Sequence, residues 1–370
     1  MKVCIDCTPL LVRSAGVKVY LFHLVQHLAA MADHHELALF PFFNLPPALR
    51  HDGSALGWGA TISRVLLATR LAGSWNPVFR AAAGGAHLFH ASNLVRAIPA
   101  GACLTTTVHD LTALCRPELH RPQTVQADNA FFSRVVCRAN QIIAVSNNTK
   151  KDLVTRLSIQ ESRITVIYPG VRDAYFHGDP PNGSAVRARY ALARPYMLFV
   201  GTIEPRKNLG RLLDAYSALD SDLRTGYGLV VAGMQGWRDE RTLQRLRGGI
   251  PGVVWLGYVP EEDMPAIMAG ATLLVFPSLY EGFGFPAVEA MAAGVPVLTS
   301  TAGSLPEVVG DAACCVDPLS IGEIQTAMER LLTSPEERLG MSQRGLKQAQ
   351  KYSWEESARQ TWALFERLAG

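Results

Sequence analysis

Twice along this chain, short buried strands alternate with helix-length segments. That repeated alternation constrains the fold more than any single motif. In the first series VCID (3–6), HLFHAS (87–92), LTTTVHD (104–110), QIIAVS (141–146) and ITVIYPG (164–170) read as strands, and ALFPF (38–42) is apolar enough to join them. VYLFHLVQHLAAM (19–31) carries Leu21, Leu24, Val25 and Leu28 on one face at the helical period. Ser146 stands where it can cap a helix over NTKKDLVTRL. The turn-rich stretch HGDPPNGS (177–184) then interrupts the pattern. A second series follows, with strands at 196–201, 228–233, 253–257, 272–278, 295–300 and 313–318. A loop and helix occupy 204–219, a helix lies at 287–294, and an amphipathic helix closes the chain at 353–370.

Strands that alternate with helices form parallel sheets covered on both faces. The expected fold class is therefore α/β: two Rossmann-like domains whose parallel sheets face each other across a cleft. Ligands of such sheets bind beyond the carboxyl ends of the strands, so the cleft is the expected site. The boundaries read as a first domain over 1–175, a linker at 176–194, a second domain over 195–352 and the final helix at 353–370. With 48% hydrophobic and 18% charged residues, both domains can bury sizeable cores.

Several function classes lack support. No G-x-x-x-x-G-K-[ST] phosphate loop occurs, no G-x-G-x-x-G follows the first strand, and no G-x-S-x-G elbow appears. Cys4 and Cys7 have C-x-x-C spacing, but no second pair stands at zinc-ligand spacing, so buried reduced thiols are the expectation. No stretch of 18 apolar residues spans a membrane. The N-terminal apolar run is broken by Asp6, which reads as a first buried strand of a cytoplasmic protein and not as a signal peptide.

The formal charge of +3 is unevenly spread. Lys and Arg exceed Asp and Glu in the first half and fall short in the second, and all 10 histidines lie in the first half. No acid occurs from Gly53 to His109, where Arg64, Arg70, Arg80 and Arg96 do. An anionic partner for the first half is one reading, and ordinary surface composition is the other.

Two short segments carry the chemistry. YEGFGFPAVEAM (280–291) runs from a strand end into a helix, with Pro286 suited to the helix's first turn. The amides near Gly284 and Phe285, together with the helix dipole, suit an anion or a hydroxyl. Glu281 stands on the loop, free to face the cleft, and Glu289 lies about one turn into the helix. Two carboxylates that accept from hydroxyls, with amides between them, suit a sugar nucleotide. The plainer reading is a strand-to-helix turn with acids near a helix start. VGTIEPRKN (200–208) likewise joins a strand to a helix and places Arg206 and Lys207 side by side. A basic pair there opposes the dipole unless an anion offsets it, and a diphosphate is such an anion.

These segments resemble a known family. E-G-F-G-F-P-x-x-E at 281–289 is similar to the signature of family 4 retaining glycosyltransferases of GT-B fold. TVHDLTALCRPE (107–118), AVSNNTKKDLV (144–154), LFVGTIEPRKNLGRLLDAY (198–216), VVAGMQGW (230–237), VWLGYVP (254–260) and LPEVVGDAACCVDP (305–318) resemble it in the same order. The bacterial polysaccharide mannosyltransferase-like group is the nearest in flavour. The resemblance implies that Glu281 binds the transferred hexose and Glu289 the ribose diol, with backbone contacts from Phe283, Gly284 and Phe285. It implies that Arg206 and Lys207 neutralise the leaving diphosphate, that His109 contacts the sugar near its 6-position, and that Gly16 lets the backbone approach the donor phosphate. It further implies that the backbone near Tyr258 and Val259 reads the base, and that the final helix crosses back onto the first domain. His109, next to Asp110, also fits a satisfied loop or core histidine.

Two positions depart from the family pattern: Thr202 stands where many relatives carry arginine, and SAGVKVY holds one glycine where many hold a pair. Phosphate binding therefore leans on Arg206 and Lys207. The implied reaction moves a hexose from a nucleotide diphosphate sugar, GDP-mannose by family flavour, onto an acceptor hydroxyl with retention. No metal or other cofactor is expected, because the basic pair can do the charge work. The expected partners are the donor and a saccharide or polyprenyl-diphosphate-linked acceptor. Residues 53–109 are either a peripheral inner-membrane contact or an ordinary packed helical segment. A UDP- or dTDP-sugar donor, a sugar-nucleotide epimerase and a non-enzymatic sugar-nucleotide-binding assembly protein stand as alternatives.

Overall fold

A computed structural model describes residues 1–11, 16–41, 61, 84–95, 98–99 and 101–369. Most of the acid-free stretch between Gly53 and His109, and the loop residues 12–15, lie outside the described residues. The chain divides into two compact units. Unit 1 comprises Met1–Leu111, Gln126–Gly170 and Ser353–Gly370, and unit 2 comprises Thr112–Val125 and Val171–Tyr352.

Unit 1 is built on a parallel six-stranded sheet in the order β2-β1-β3-β4-β5-β6. The strands are β1 Lys2–Asp6, β2 Glu36–Phe40, β3 Leu88–Ala91, β4 Cys103–Val108, β5 Gln141–Ala144 and β6 Ile164–Val166. β3 and β5 are buried along their whole length, as strands covered on both faces must be. The helix Gly16–Ala30 buries Leu21, Leu24, Val25 and Leu28, the face its period defines. Ser146 caps the helix Asn147–Leu157 by accepting the Thr149 amide at 3.1 Å. The terminal helix Trp354–Ala369 packs on the helix Gly16–Ala30 and on β3. There the Trp362 indole donates to the Leu28 carbonyl at 3.0 Å, while Leu364 joins Ile143 and Ile167 in one apolar cluster.

Unit 2 repeats the plan in the order β12-β11-β10-β7-β8-β9. The strands are β7 Tyr196–Val200, β8 Gly228–Ala232, β9 Val253–Gly257, β10 Leu273–Phe276, β11 Val297–Ser300 and β12 Cys314–Val316. Alternate strand residues share a face. Met197, Phe199, Leu229, Val231, Leu273 and Val275 therefore pack together against Leu212, Tyr216, Met328 and Leu331 of the covering helices. Leu198, Val230 and Leu274 on the opposite face are equally buried. Each such side chain contributes about 1.5–3 kcal/mol by leaving water.

Two stretches differ from the sequence-based boundaries. The span assigned to a linker holds the helix Gly183–Arg189, which buries Val186 and packs against the helix Met264–Ala269 within unit 2. Thr112–Val125, read as part of the first domain, groups with unit 2 because Trp237 and Arg238 donate to the carbonyls of Leu119 and His120 at 3.3 and 2.7 Å. Cys4 and Cys7 are buried and unbridged, and burial pushes the Cys4 thiol up to about 12.

Candidate active site

In each sheet the strand order reverses once, and a crevice opens there beyond the carboxyl ends. In unit 2 the reversal falls between β7 and β10, which pair directly. The segments that leave these two strands carry Arg206 and Lys207 on one side and Ser278 and Glu281 on the other. The structure brings them together although some 70 residues separate them: the Lys207 ammonium donates to Glu281 Oε1 at 2.7 Å (|i−j| = 74). Arg206 Nη1 donates to Glu281 Oε2 at 2.8 Å and to the Tyr280 carbonyl at 3.0 Å. Arg206 Nη2 pairs with Glu204 at 2.7 Å. The Ser278 hydroxyl donates to Glu281 Oε1.

The expectation that Glu281 stands free on its loop is therefore corrected. It is 7% exposed and held by three donors, because a buried carboxylate without partners would be costly. Burial drives its carboxyl upward, but the adjacent Arg206 and Lys207 charges outweigh that and hold it at about 2. Lys207 is shifted downward, by burial first and then by the Arg206 charge, with Glu281 and Glu204 opposing. The ammonium also lies 4.9 Å from the centre of the Phe276 ring. Two cations and two carboxylates thus form one compact, nearly enclosed cluster.

The backbone holds this loop in place. Glu281's carbonyl accepts both the amide and the hydroxyl of Ser304, each at 3.0 Å. Gly303 adopts φ +62, and a Cβ there would lie 2.6 Å from that same carbonyl oxygen. Gly284 caps the helix Phe285–Ala292 at φ +100, a conformation that favours glycine. The Phe283 ring packs edge-on to Phe285 and Tyr352 at 5.2 and 5.3 Å, so its side chain is a packing element. Glu289 is half-buried on that helix. Its charge acts on Tyr175 and Arg172. Tyr258 and Val259 follow β9, and Val259 is buried.

Unit 1 has its own crevice, between β1 and β3. A small hollow there is lined by Asp6, Tyr20, His90, Ser92, Thr107 and His109. His109 directly follows β4 with its ring edge-on to Tyr20 at 4.7 Å, and burial lowers its pKa to about 4, so it is neutral at pH 7. Asp6 accepts the hydroxyls of Ser92 and Thr8, and burial raises its pKa. His90 bridges the hydroxyls of Thr105 and Thr107 at 2.9 and 3.1 Å. Gly16 opens the helix Gly16–Ala30 and is exposed. Among the described residues no group of His, Cys, Asp and Glu is arranged to hold a metal ion, and no helix is long and apolar enough to cross a membrane.

Sequence reasoning missed Ser278, Glu204, Asp6, His90 and Ser92. The one available signal was position: Asp6 and Ser278 stand at strand carboxyl ends, where such sheets place ligand contacts.

Two doubly wound parallel-sheet units, the second with an ion cluster at its strand-order reversal, define a two-domain α/β architecture. Residues 187–348 match the family described as Glycosyl transferases group 1, and residues 14–175 match Glycosyltransferase Family 4. The chain is 32% identical over 388 residues to the O-antigen chain mannosyltransferase B of Escherichia coli, with 100% of each chain covered. It is 32% identical over 239 residues to the MMP alpha-(1->4)-mannosyltransferase of Mycolicibacterium hassiacum, covering 63% of this chain and 56% of that one. Among solved structures, sucrose-phosphate synthase from Thermosynechococcus elongatus aligns with TM-score 0.74 at 20% identity over 100% and 99% of the chains. Anabaena HepE in complex with UDP and glucose aligns with TM-score 0.72 at 17% identity over 99% and 100%. The chain belongs to glycosyltransferase family 4, and its fold is GT-B.

Proposed function

We propose that this enzyme transfers a mannosyl unit from GDP-mannose to a saccharide hydroxyl, with retention, during polysaccharide assembly. The Arg206–Lys207–Glu281 cluster carries the reading, because it sets two cations at the sheet crevice where a diphosphate's growing charge needs them. The full-length similarity to an O-antigen chain mannosyltransferase supports mannose as the sugar.

In this reading Arg206 and Lys207 take the diphosphate and Glu281 accepts a hydroxyl of the hexose. Glu289 accepts the ribose diol, and the backbone at Tyr258 and Val259 meets the base. Phe283, Gly284 and Phe285 give backbone contacts to sugar and pyrophosphate, Gly16 lies near the donor phosphate, and His109 donates or accepts as a neutral imidazole near the sugar. The leaving phosphate takes the acceptor's proton on the face from which the acceptor attacks. Glu281 is not the nucleophile, since its two oxygens are already committed to Lys207, Ser278 and Arg206. The basic pair makes a metal unnecessary, and full turnover in EDTA tests that.

The deciding experiment measures release of free nucleoside diphosphate from GDP-mannose, UDP-glucose and dTDP-sugars, with and without a mannosyl acceptor. Acceptor-dependent GDP release is expected. Preferential UDP or dTDP release would overturn the donor, and no release from any donor would overturn the enzyme. The finer reading places the acceptor on a polyprenyl diphosphate and the enzyme on the cytoplasmic side, peripheral to the inner membrane. Failure to co-sediment with anionic liposomes would count against that membrane contact.

A further inference from the structure

Outside the Glu281 cluster, unit 2 holds another charged group that is largely shielded from solvent. Arg172 lies two residues beyond Gly170, its side chain 16% exposed. Its Nη1 pairs with Glu261 at 3.0 Å, and its Nη2 donates to the Tyr175 hydroxyl at 3.0 Å. The guanidinium carbon lies 4.9 Å from the centre of the Tyr175 ring. Tyr175 is buried in the turn Asp173–Tyr175, which packs against the helices Met264–Ala269 and Phe285–Ala292. The second of these helices carries Glu289, whose charge acts on Arg172 and Tyr175 alike. One guanidinium therefore pairs with Glu261 beyond β9, and the turn it braces through Tyr175 packs on the helix beyond β10 that carries Glu289.

A cation in a partly desolvated place favours the ionised form of the carboxylates whose field it shares. A planar fork can address two directions at once, which a single ammonium does less well. Glu261 directly follows Tyr258, Val259 and Pro260, while Glu289 is the helix acid of the E-x7-E segment. Arg172 thus ties together two segments that the reading above places at the nucleoside end of the donor. We propose that Arg172 is a positioning residue of the nucleoside subsite, fixing Glu289 and the 258–261 loop for the ribose and the base. The inference rests on that reading of Glu289, Tyr258 and Val259.

The test is a calorimetric cycle with GDP and inorganic pyrophosphate as probes. The proteins are wild type, Arg172→Gln, Glu289→Gln and the double variant, each checked for native circular dichroism. Arg172→Gln should weaken GDP about tenfold and leave pyrophosphate affinity unchanged. It should raise KM for the donor far more than it lowers kcat. In the Glu289→Gln background the Arg172→Gln effect should shrink, because the proposed role of Arg172 runs through Glu289. Arg172→Lys should recover part of the lost GDP affinity. Unchanged GDP binding, an additive double variant, or equal loss of GDP and pyrophosphate would each overturn the proposal. If Arg172→Gln does not fold, Arg172→Lys and Glu261→Gln carry the same cycle and the same criteria. A wild type that binds pyrophosphate and no nucleoside diphosphate would instead remove the nucleotide reading, and this inference with it.

Discussion

Lys207 and Glu281 meet at 2.7 Å although they leave different strands of the second sheet. Each is less than a tenth exposed, so each depends on the other to remain charged. Lys207→Ala removes the charge proposed to face the diphosphate and one partner of a buried carboxylate. Turnover should fall on the order of 10²-fold or more, with a stability loss of about 3–5 kcal/mol. Nucleoside diphosphate release and thermal melting measure the two effects, and near-normal turnover would remove Lys207 from the mechanism.

Glu281→Gln separates binding from transfer. The variant keeps the shape but leaves Arg206 and Lys207 with only Glu204 as a carboxylate partner in the cluster. The cluster then carries excess positive charge, so GDP affinity should hold or tighten while turnover drops on the order of 10²-fold. Calorimetry against steady-state kinetics checks the split; parallel loss of both would contradict it.

Gly303→Ala should act through the loop alone. The residue sits at φ +62, and its new Cβ would fall 2.6 Å from the Glu281 carbonyl oxygen. Strain of about 1–3 kcal/mol is expected, together with reduced turnover as the Ser304 contacts to Glu281 shift. A variant with wild-type melting and turnover would show that the loop accommodates a side chain.

The acid response is led by three groups shifted downward, with Asp6 and Asp128, raised by burial, opposing them. His90 and His109 have folded pKa values lowered by burial to about 3 and about 4, below the ordinary 6.5. Lowered values mean that the unfolded chain binds the extra protons, so stability falls as pH drops below about 6.5. Glu281, lowered from 4.5 to about 2, adds a second loss below pH 4.5. Melting temperature should therefore decline in two stages on acidification. Replacing His90 with a residue that does not titrate should flatten the first stage, and an unchanged profile would reject its assignment.

Much of the fold was legible because buried parallel strands leave apolar runs and covering helices leave a 3.6-residue period. β7, β8 and β10 fall where YMLFVG, GLVVAG and TLLVFPS place them. The region after Gly170 was harder to read: its Pro and Gly suggested an open linker, while burial of Val186 depends on a helix some 80 residues away. Thr112–Val125 escaped for a similar reason. Backbone carbonyls that receive Trp237 and Arg238 leave no trace in side-chain pattern. Arg206, Lys207 and Glu281 were each visible, but their ion pairing was not, since periodicity carries no information about contacts between distant loops. Glu204 lay within VGTIEPRKN and Ser278 at the end of the strand TLLVFPS, unnoticed because only their partners reveal their use.

The terminal helix Trp354–Ala369 supplies Trp362 and Leu364 to the core of unit 1, whose first strand begins at Lys2. On the ribosome, then, unit 1 is begun before unit 2 and completed after it. The main stretch of unit 2, Val171–Tyr352, emerges whole before its neighbour has its closing helix. Until then the apolar surface around Leu28, Ile143 and Ile167 stays uncovered, and the nascent first unit is the part most exposed to aggregation and to chaperone capture.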